Sequence, residues 1–282
     1  MKLFKYLSTE RIDVLQNCQI RFSQPNAFND PFEFLPVLTS IDTPSNINNI
    51  WKELIKENTE KEWMALTDNQ KKDLPLKEFI KNVNSDSEKQ LTDIHKLMSE
   101  KGTLASRTIY ENANSKVGVL SLTEMQDNLL MWAHYADSHT GYSIAFDTTH
   151  RFFKQEKNDL DELRHLRKVV YKEERPETTL KQLESHELLL TKSLHWKYEE
   201  EWRMVMPLSN AATSVTAPAG KVHLFKFPEA AVIEVILGAN VTDEFETLVK
   251  KTISSNLKMK HVVLKKARIH DRCYKLEFDV IS

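Results

Sequence analysis

The stretch "WKYEEEWRMVMP" (Trp196–Pro207) places three adjacent glutamates directly before an apolar run that is typical of a buried strand. Adjacent carboxylates repel one another, so the stretch predicts either partner cations or a chemical use for the charges. If the strand has begun by Glu199, alternation puts Glu199 and Glu201 on one face and Glu200 on the other. Such a pair could hold a cationic or hydroxylated ligand or act as a general base. The alternative is a solvated strand edge with Arg203 in an ion pair.

The composition is that of an ordinary soluble globular protein. The chain has 282 residues, 40% of them hydrophobic and 28% charged, and a formal net charge of -2, which argues against a global basic field for nucleic acid. Cys18 and Cys273 lie far apart and have no zinc-site spacing, so we expect two free thiols in a reducing cytosol. No signal peptide, no run of about 20 apolar residues and no glycine-rich nucleotide loop occurs. We therefore expect a cytoplasmic protein with no membrane partner.

Segments of two kinds alternate along the chain. Strand-like runs include LFKY (3–6), QIRFS (19–23), VGVLSLTE (117–124) and TGYSIAFD (140–147), and further strand-like runs fill the second half. Residues 45–114 are instead charged and carry apolar residues at helical spacing, such as Trp51, Leu54 and Ile55. The pattern predicts one α+β domain over residues 1–282, with a helical insertion at residues 45–114.

The segment "FNDPFEF" (Phe28–Phe34) sets polar side chains among three phenylalanines. Asn-Asp-Pro favours a turn, because Asx side chains bond nearby backbone amides and Pro31 fixes φ. One interpretation is a structural turn pinned by aromatic anchors. The other is a polar loop at the rim of a pocket.

The segment "MWAHYADSHTGYSIAFD" (Met131–Asp147) is rich in aromatic and imidazole groups. His134, Asp137 and His139 do not have the i, i+4 spacing with which one helix face presents metal ligands. Trp132, His134 and Tyr135 either line a ligand pocket or belong to an aromatic helix in the core. Upstream, Ser121 and Thr123 alternate with leucines and share one face of a strand.

These same boxes resemble a widespread bacterial family of unassigned function. Its members share a (L/F)xKY start, an FNDPFE box, an SLTExxDNxLMWAHYAxxHxG box and a KxxxWxYExEWR box. In this chain the boxes are Leu3–Tyr6, Phe28–Glu33, Ser121–Gly141 and Lys192–Arg203. The resemblance covers nearly the whole chain, and it implies no chemistry.

The sequence also resembles, more weakly, the ADP-ribosyltransferases, whose core is a β-sheet split around an NAD cleft. Arginine-type members carry an Arg on an early strand, a Ser-x-Ser/Thr strand motif and an E-x-E whose last glutamate is catalytic. This chain offers Arg21, then Ser121-Leu122-Thr123, then Glu199-Glu200-Glu201, in the same order. The resemblance implies an ADP-ribosyltransferase-like split β-sheet core with the helical insertion outside it.

The resemblance also implies roles for the residues. Glu201 would stabilise the ribosyl cation that forms when the nicotinamide–ribose bond breaks, and Glu199 would orient or deprotonate the acceptor. Arg21 would hold the pyrophosphate. The remaining expected NAD-binding residues are Tyr6, Asn29, Asp30, Ser121, Trp132, His134 and Tyr135, and no metal is required. A Glu201→Gln change is expected to remove the charge and leave the fold intact.

The leading hypothesis is thus an NAD-dependent ADP-ribosyltransferase-like enzyme, a bacterial toxin or defence effector, whose acceptor is a protein or a nucleic acid. Two alternatives stay open. One is a non-catalytic ligand- or protein-binding module in which the boxes are architecture. The other is a metal-dependent nuclease that uses Asp30, Glu33 and either Glu199 or Glu201.

Overall fold

The computed structural model describes residues 1–218 and 220–282, and the contacts within it divide the chain into two compact units. The first unit contains Met1–Phe34, Asn112–Glu174 and Ser185–Ser282, and the second contains Leu35–Glu111 and Arg175–Glu184. The chain is a mixed α+β protein, as the sequence predicted, and it contains a large mixed β-sheet. The second unit contains most of the segment predicted to be a helical insertion.

The elements are numbered in chain order. The strands are β1 (Lys2–Leu7), β2 (Gln19–Arg21), β3 (Val37–Ser40), β4 (Val117–Thr123), β5 (Tyr142–Asp147), β6 (Leu166–Lys168), β7 (Val170–Lys172), β8 (Glu177–Thr179), β9 (Thr191–Ser193), β10 (Glu201–Pro207), β11 (Thr213–Ala217), β12 (Gly220–Lys226), β13 (Val232–Leu237), β14 (Val263–Ile269) and β15 (Leu276–Val280). The α-helices are α1 (Asp13–Asn17), α2 (Pro44–Ala65), α3 (Asp68–Asp73), α4 (Leu76–Lys116), α5 (Leu129–Tyr135), α6 (Ser185–Leu190) and α7 (Asp243–Ser255).

The main sheet of the first unit has eight strands in the order β15-β14-β13-β5-β1-β4-β10-β6. Strand β1 pairs with β5 at six positions, and β4 pairs with β10 at seven. Between β1 and β4, however, the only paired position among the described residues is Phe4 with Thr123. The sheet is therefore nearly divided at this junction.

Beyond that junction β4 finds another partner. The backbone groups of Val119 exchange hydrogen bonds with those of Ser23, with N–O distances of 2.8 and 2.9 Å. Ser23 lies two residues after β2, which belongs to a separate three-stranded sheet of order β11-β12-β2. The edge of β4 thus turns away from β1 and leaves an opening between the two strands.

Helix α7 closes one face of the main sheet. Strands β13 and β14 are parallel, so the chain must cross over between them, and α7 makes that crossover. Phe245, Val249 and Ile253 recur at intervals of four residues and are all buried in the larger core cluster. The hydroxyl of Thr242 accepts the Phe245 amide and caps the helix N-terminus.

Helix α5 packs near the opening. Asn128 caps it by accepting from the amides of Leu130 and Met131, as expected for a helix that starts near this residue. Trp132 is fully buried, and its ring meets that of Tyr6 edge-on at a centroid distance of 4.9 Å. This packing fixes the helix so that Tyr135, one turn further on, reaches the site described below.

The second unit is mainly helical. Between Pro44 and Glu111 it contains α2, α3 and most of α4 and no strand, and a short parallel pair of β3 and β8 completes it. Gly102 on α4 lies so close to the backbone of Ser40 that a Cβ would come within 2.9 Å of it. Few side chains on the long helices are buried, for example only Ile47 and Thr59 on α2.

Candidate functional site

The opening between β1 and β4 contains a cavity of about 210 Å³. Strand β1 contributes Lys5 and Tyr6, and β4 contributes Ser121 and Thr123. Phe28, Asn29 and Glu33 from the FNDPFEF segment, Tyr135 from α5, and Lys192, Glu199 and Glu201 complete the polar and aromatic lining. All of these residues belong to the first unit.

A buried lysine joins three carboxylates at the base of this cavity. The Nζ of Lys192 lies 2.6 Å from Glu199, 3.0 Å from Glu201 and 3.4 Å from Glu33. The side chains of all four residues are at most 5% exposed. The repulsion predicted between adjacent glutamates is thus offset by a cation that comes from β9.

Arg203 supplies the second cation of the cluster. It binds Glu201 in a bidentate manner, with Nε 2.8 Å from Oε1 and Nη2 3.0 Å from Oε2. Nη2 also pairs with Glu33, and Nη1 donates to the Leu189 carbonyl at 3.0 Å. One of the two interpretations of the sequence placed an ion pair of Arg203 at a solvated strand edge. The ion pair is present, but the guanidinium is buried.

The carboxylates of Glu199 and Glu201 converge for a different reason from the predicted strand alternation. Residues 194–199 form a 3₁₀-helix, and β10 starts only at Glu201. Glu200 between them has a left-handed backbone (φ 41°, ψ 54°) that links the 3₁₀-helix to β10, and the carboxylates of both neighbours reach Lys192. The side chain of Glu200 points elsewhere and pairs with Lys168 at 3.2 Å.

Tyr135 connects Glu199 to the FNDPFEF segment. The tyrosine hydroxyl donates to Glu199 Oε1 at 2.6 Å and accepts a bond from the Asn29 amide at 3.3 Å. Burial, and next the charge of Glu199, raise the pKa of Tyr135 far above its ordinary value. The hydroxyl therefore remains a hydrogen-bond donor to Glu199 at every physiological pH.

The electrostatics of the cluster follow from its pairing. Burial opposes ionisation of Glu201, but Arg203 and Lys192 outweigh it and hold the pKa of that carboxyl well below its usual range. Burial likewise opposes the charge of Lys192, yet its carboxylate neighbours raise its pKa. At Glu33 burial wins over the two cations, and the pKa of its carboxyl is raised.

Lys5 is a site residue that sequence reasoning missed as a functional group. Its Nζ crosses the opening and donates to the Ser121 carbonyl at 3.0 Å. Burial lowers the pKa of Lys5 to about 8, although Glu201 and Glu199 oppose the shift. The only signal in the sequence was the position of Lys5 in the LFKY segment, where a lysine is typical of the solvent-facing side of an amphipathic strand.

Hydroxyls of β4 hold the glutamates in place. Thr123 donates to the Glu199 carbonyl and accepts the Met125 amide at 3.0 Å. Ser121 contributes a hydrogen bond to the Glu201 carboxylate. Their positions on one face of the strand agree with the predicted alternation, and that face is directed to the site rather than to solvent.

The structure brings six of the ten predicted site residues to the cavity, namely Glu199, Glu201, Tyr6, Asn29, Ser121 and Tyr135. Tyr6 lines it with its ring, but its hydroxyl donates to the carbonyls of Met125 and Gln126 at 2.6 and 2.8 Å. Tyr6 is therefore a buried anchor whose polar end is already occupied.

Four predicted site residues lie outside the cavity lining. Arg21 is on β2 and does not line it, because β2 pairs with β12 and only Ser23 reaches the opening. Asp30 is buried in the turn, where its Oδ1 accepts the Phe32 amide at 2.9 Å, as in the turn interpretation. Trp132 is a core residue whose indole donates to the Gln126 carbonyl, and His134 is exposed on α5.

The acid cluster does not fit a divalent metal. Lys192 and Arg203 occupy the inner side of Glu33, Glu199 and Glu201, where a nuclease of the predicted type would place magnesium. In the part of the chain that the structure describes, no group of three His, Cys, Asp or Glu is arranged to hold a metal ion. Nor is any helix in residues 1–218 or 220–282 long and apolar enough to span a bilayer.

Comparison with known proteins adds one match. A family model described as "Protein of unknown function (DUF2971)" matches residues 131–204, which agrees with a resemblance to a family of unassigned function. The matched stretch includes Tyr135, Lys192, Glu199, Glu201 and Arg203 of the site. Searches of curated proteins and of solved structures found no match. The chain is thus similar, over these residues, to a family whose printed description states no activity.

Proposed function

We propose that this protein is an ADP-ribosyltransferase-like enzyme that binds the ribosyl part of NAD in the cavity between β1 and β4. The observation that carries the proposal is the opening itself. A sheet nearly divided at one residue pair, Phe4 with Thr123, supports a likeness to the split sheet of those transferases. The carboxylates Glu199 and Glu201 lie beside that division.

The order of the strands also supports the proposal. Strands β1, β4 and β10 are neighbours, and they carry Lys5, Ser121 and Glu201 respectively. Arg21 lies on β2 in another sheet and is not beside these three strands. Lys5 therefore takes the place of the ligand-binding arginine that the resemblance implies. A lysine on the central strand would contact an anionic or carbonyl group of the ligand.

Contacts in the cluster assign different roles to the two carboxylates. Both oxygens of Glu201 already accept bonds from Arg203 and Lys192, which neutralise much of its charge. Lys192 donates to Oε2 of Glu199, and among the described residues Oε1 of Glu199 accepts only from the Tyr135 hydroxyl, which a ribose hydroxyl can replace. Glu199 is therefore the proposed partner of the ribosyl cation, and Glu201 keeps the cluster in position.

The reaction would need no metal. The bond between ribose C1′ and the nicotinamide nitrogen breaks, and its electron pair neutralises the pyridinium as nicotinamide leaves. The C1′ cation is stabilised by the nearby carboxylate. The acceptor, or water in a hydrolysis assay, forms a new bond to C1′ and releases a proton to solvent or to a base.

The size of the cavity limits what it encloses. At about 210 Å³ it is smaller than the roughly 300–1,000 Å³ of pockets that enclose whole drug-sized ligands. It suits a ribose and part of the nicotinamide ring, so the rest of a dinucleotide would lie outside it. Affinity for NAD is then expected to depend on few enclosed contacts.

The test is release of nicotinamide from millimolar NAD by the wild-type chain and by three single variants. Glu199→Gln should reduce turnover about 10²-fold or more, as loss of a transition-state electrostatic partner does. Glu200→Gln is the matched control, because its side chain pairs with Lys168 instead. It should stay within about twofold of wild type. Glu201→Gln reports on the cluster, with thermal melting to separate activity from folding.

Equal turnover by the Glu199 and Glu200 variants would contradict the assigned role of Glu199. Absence of NAD binding to the wild type at millimolar concentration, measured by ligand-detected NMR, would remove the transferase proposal.

One observation favours a second candidate, a non-catalytic ligand-binding module. Every charge of the Glu33–Lys192–Arg203 group has a partner, which is the arrangement expected of architecture. This candidate predicts saturable binding of ribose-containing ligands with no release of nicotinamide, so the same experiment separates the two functions.

A further inference from the structure

The second unit contains a larger cavity, which has no part in the proposed reaction. Helices α2 and α4 border a groove of about 550 Å³, hereafter the α2–α4 groove. This volume lies within the roughly 300–1,000 Å³ typical of small-molecule pockets. All of the residues that line it belong to the second unit.

Two contacts fix how the helices face one another along the groove. At one end the indole of Trp51 donates to the Ser87 carbonyl at 3.1 Å. At the other end the rings of Trp63 and Phe79 lie 5.6 Å apart. The helices therefore run antiparallel, and the twelve residues from Trp51 to Trp63 span about 18 Å of groove.

The Trp63 end is apolar. Met64, Leu76 and Ile80 line it and are 75%, 47% and 39% exposed. Large apolar side chains that surround a concave surface, rather than lying singly, mark a binding surface. No residue of the described chain covers them.

The Trp51 end is polar and positively charged. Asn84 and Ser87 line it from α4, and Lys52 and Lys56 line it from α2. The two lysines are four residues apart on one helix face, a spacing at which like charges repel. Within the described residues neither has an ion-pair partner. A bound anion would relieve that repulsion.

The middle of the groove adds little polarity. The hydroxyl of Thr59 donates to its own helix, to the Ile55 carbonyl at 2.6 Å, so it offers no free donor. Glu60 lines the groove one turn beyond Lys56, on the side of the apolar end. Its charge disfavours a second anionic group there and so restricts the anion to the Lys52 end.

We propose that the α2–α4 groove binds a small amphiphile with one anionic head, of the fatty-acid class. The head lies at Lys52 and Lys56, and the hydrocarbon tail lies along Ile55 towards Trp63 and Ile80. The graded lining and the two unpaired lysines carry this assignment, and it does not depend on the proposed function.

The test is isothermal titration calorimetry of the full chain with dodecanoate. Dodecanoate and the comparison ligands named below are each used below their critical micelle concentration. Saturable binding with one site per chain is expected. Decanoate should bind about 15-fold more weakly, since it has two methylenes fewer and each buried methylene contributes about fourfold to affinity. Dodecanol and dodecyltrimethylammonium should bind at least about tenfold more weakly than dodecanoate, because neither offers an anion to the lysines.

The variants locate the site. A chain with both Lys52→Glu and Lys56→Glu should lose at least about tenfold in affinity for dodecanoate. Lys101→Glu is the matched control for charge, because it is exposed on α4 about 25 Å along the helix from Asn84. It should bind as the wild type does. Circular dichroism should show equal helix content in both variants.

Ile80→Gln makes one apolar residue of the groove lining polar, and it tests whether the hydrocarbon tail binds there. It should weaken dodecanoate binding and leave the preference for an anionic head unchanged. Unsaturable binding, equal affinity for all three head groups, or unchanged affinity in the lysine double variant would overturn the proposal. A dimer in light scattering that dodecanoate does not dissociate would also overturn it, because a second copy of the chain would then occupy the groove.

Discussion

The buried cluster around Lys192 and the α2–α4 groove both place lysines beside a cavity, but they treat the charge in opposite ways. Lys192 has three carboxylates within 3.4 Å and lies 4.9 Å from the Trp196 ring centroid. Lys52 and Lys56 are exposed and lie beside one another with no partner in the described chain. The charges of the cluster are compensated within the protein, whereas the two groove lysines are available to the ligand proposed above.

The difference teaches where stability and binding reside in this protein. Charges that are buried and paired must stay together, because separating them leaves an uncompensated ion in a medium of low dielectric constant. Charges at a solvated groove can be changed at small cost to the fold. Five substitutions test this contrast, from the largest expected effect to the smallest.

Arg203→Met should destabilise the protein most. It leaves Glu33 and Glu201 buried without their guanidinium, and breaking such a pair costs about 3–5 kcal/mol. Urea unfolding gives the free energy directly. Arg268→Met is the control, since Arg268 is half exposed and pairs with Glu277 and Asp279. It should cost at most about 1 kcal/mol, and equal losses would break the comparison.

Glu201→Gln follows from the same argument and corrects the sequence-based expectation of an intact fold. The carboxylate accepts three bonds from Arg203 and Lys192, so the neutral amide leaves both cations with less compensation. Any loss of activity in this variant must therefore be judged against its melting temperature.

Lys5→Met should change the pH dependence of stability. The pKa of Lys5 is about 8 in the folded chain, against an ordinary 10.5. Below pH 8 both states are protonated, and the wild type carries the full cost of the buried charge. Between pH 8 and 10.5 the unfolded chain binds more protons, so the stability of the wild type rises relative to the variant. The rise is at most about 3 kcal/mol.

The measurement is urea unfolding of both proteins at pH 7, 9 and 10, where the difference between them cancels the other titrating groups. A difference that is constant over this range would show that Lys5 keeps an ordinary pKa.

Tyr135→Phe should have an intermediate effect. It removes the hydrogen bond to Glu199 Oε1 and leaves that oxygen without a donor, which costs about 1–3 kcal/mol. Thermal or urea unfolding measures the loss. Tyr274→Phe is the control, because Tyr274 is fully exposed and should change nothing measurable.

Lys52→Gln should have the smallest effect, and in the opposite direction. It removes the repulsion with Lys56 on α2 and should stabilise the chain by about 0.2–0.5 kcal/mol. Differential unfolding at low ionic strength can detect this gain. A loss of more than about 1 kcal/mol would mean that Lys52 has a structural partner, and the contrast with Lys192 would fail.

Local pattern predicted much of the fold. Period-two alternation located β1, β4, β5 and β10 to within a few residues, and helical spacing located the helices between Pro44 and Lys116. These signals are carried by neighbouring residues, and each element follows from its own sequence. The division into two compact units depends on contacts between distant segments, and the sequence does not display them.

The site was less accessible to sequence reasoning. Glu199 and Glu201 were found because they belong to one run of three glutamates, and Arg203 follows Glu201 on the same strand. Lys192 of β9 and the third carboxylate, Glu33, join them only through the tertiary fold. The left-handed turn at Glu200 could not be predicted either, because nothing in three identical residues distinguishes the middle one.

Arg21 shows a different limit of sequence reasoning. Its place in the chain order suited the resemblance, yet strand pairing puts β2 in another sheet. Order along the chain carries no information on which strands become neighbours, and Lys5 takes the central position instead.

The place of β1 in the middle of the main sheet has a consequence during synthesis. Strand β1 is synthesised before its partner β5, which ends at Asp147. At about 5–20 residues per second, the apolar strand waits about 7–28 s for that partner. During this interval its unpaired edge and the side chains of Leu3, Phe4 and Leu7 are open to other chains. Yield in cells should therefore depend on how fast the codons between β1 and β5 are translated and on chaperones that hold extended apolar segments.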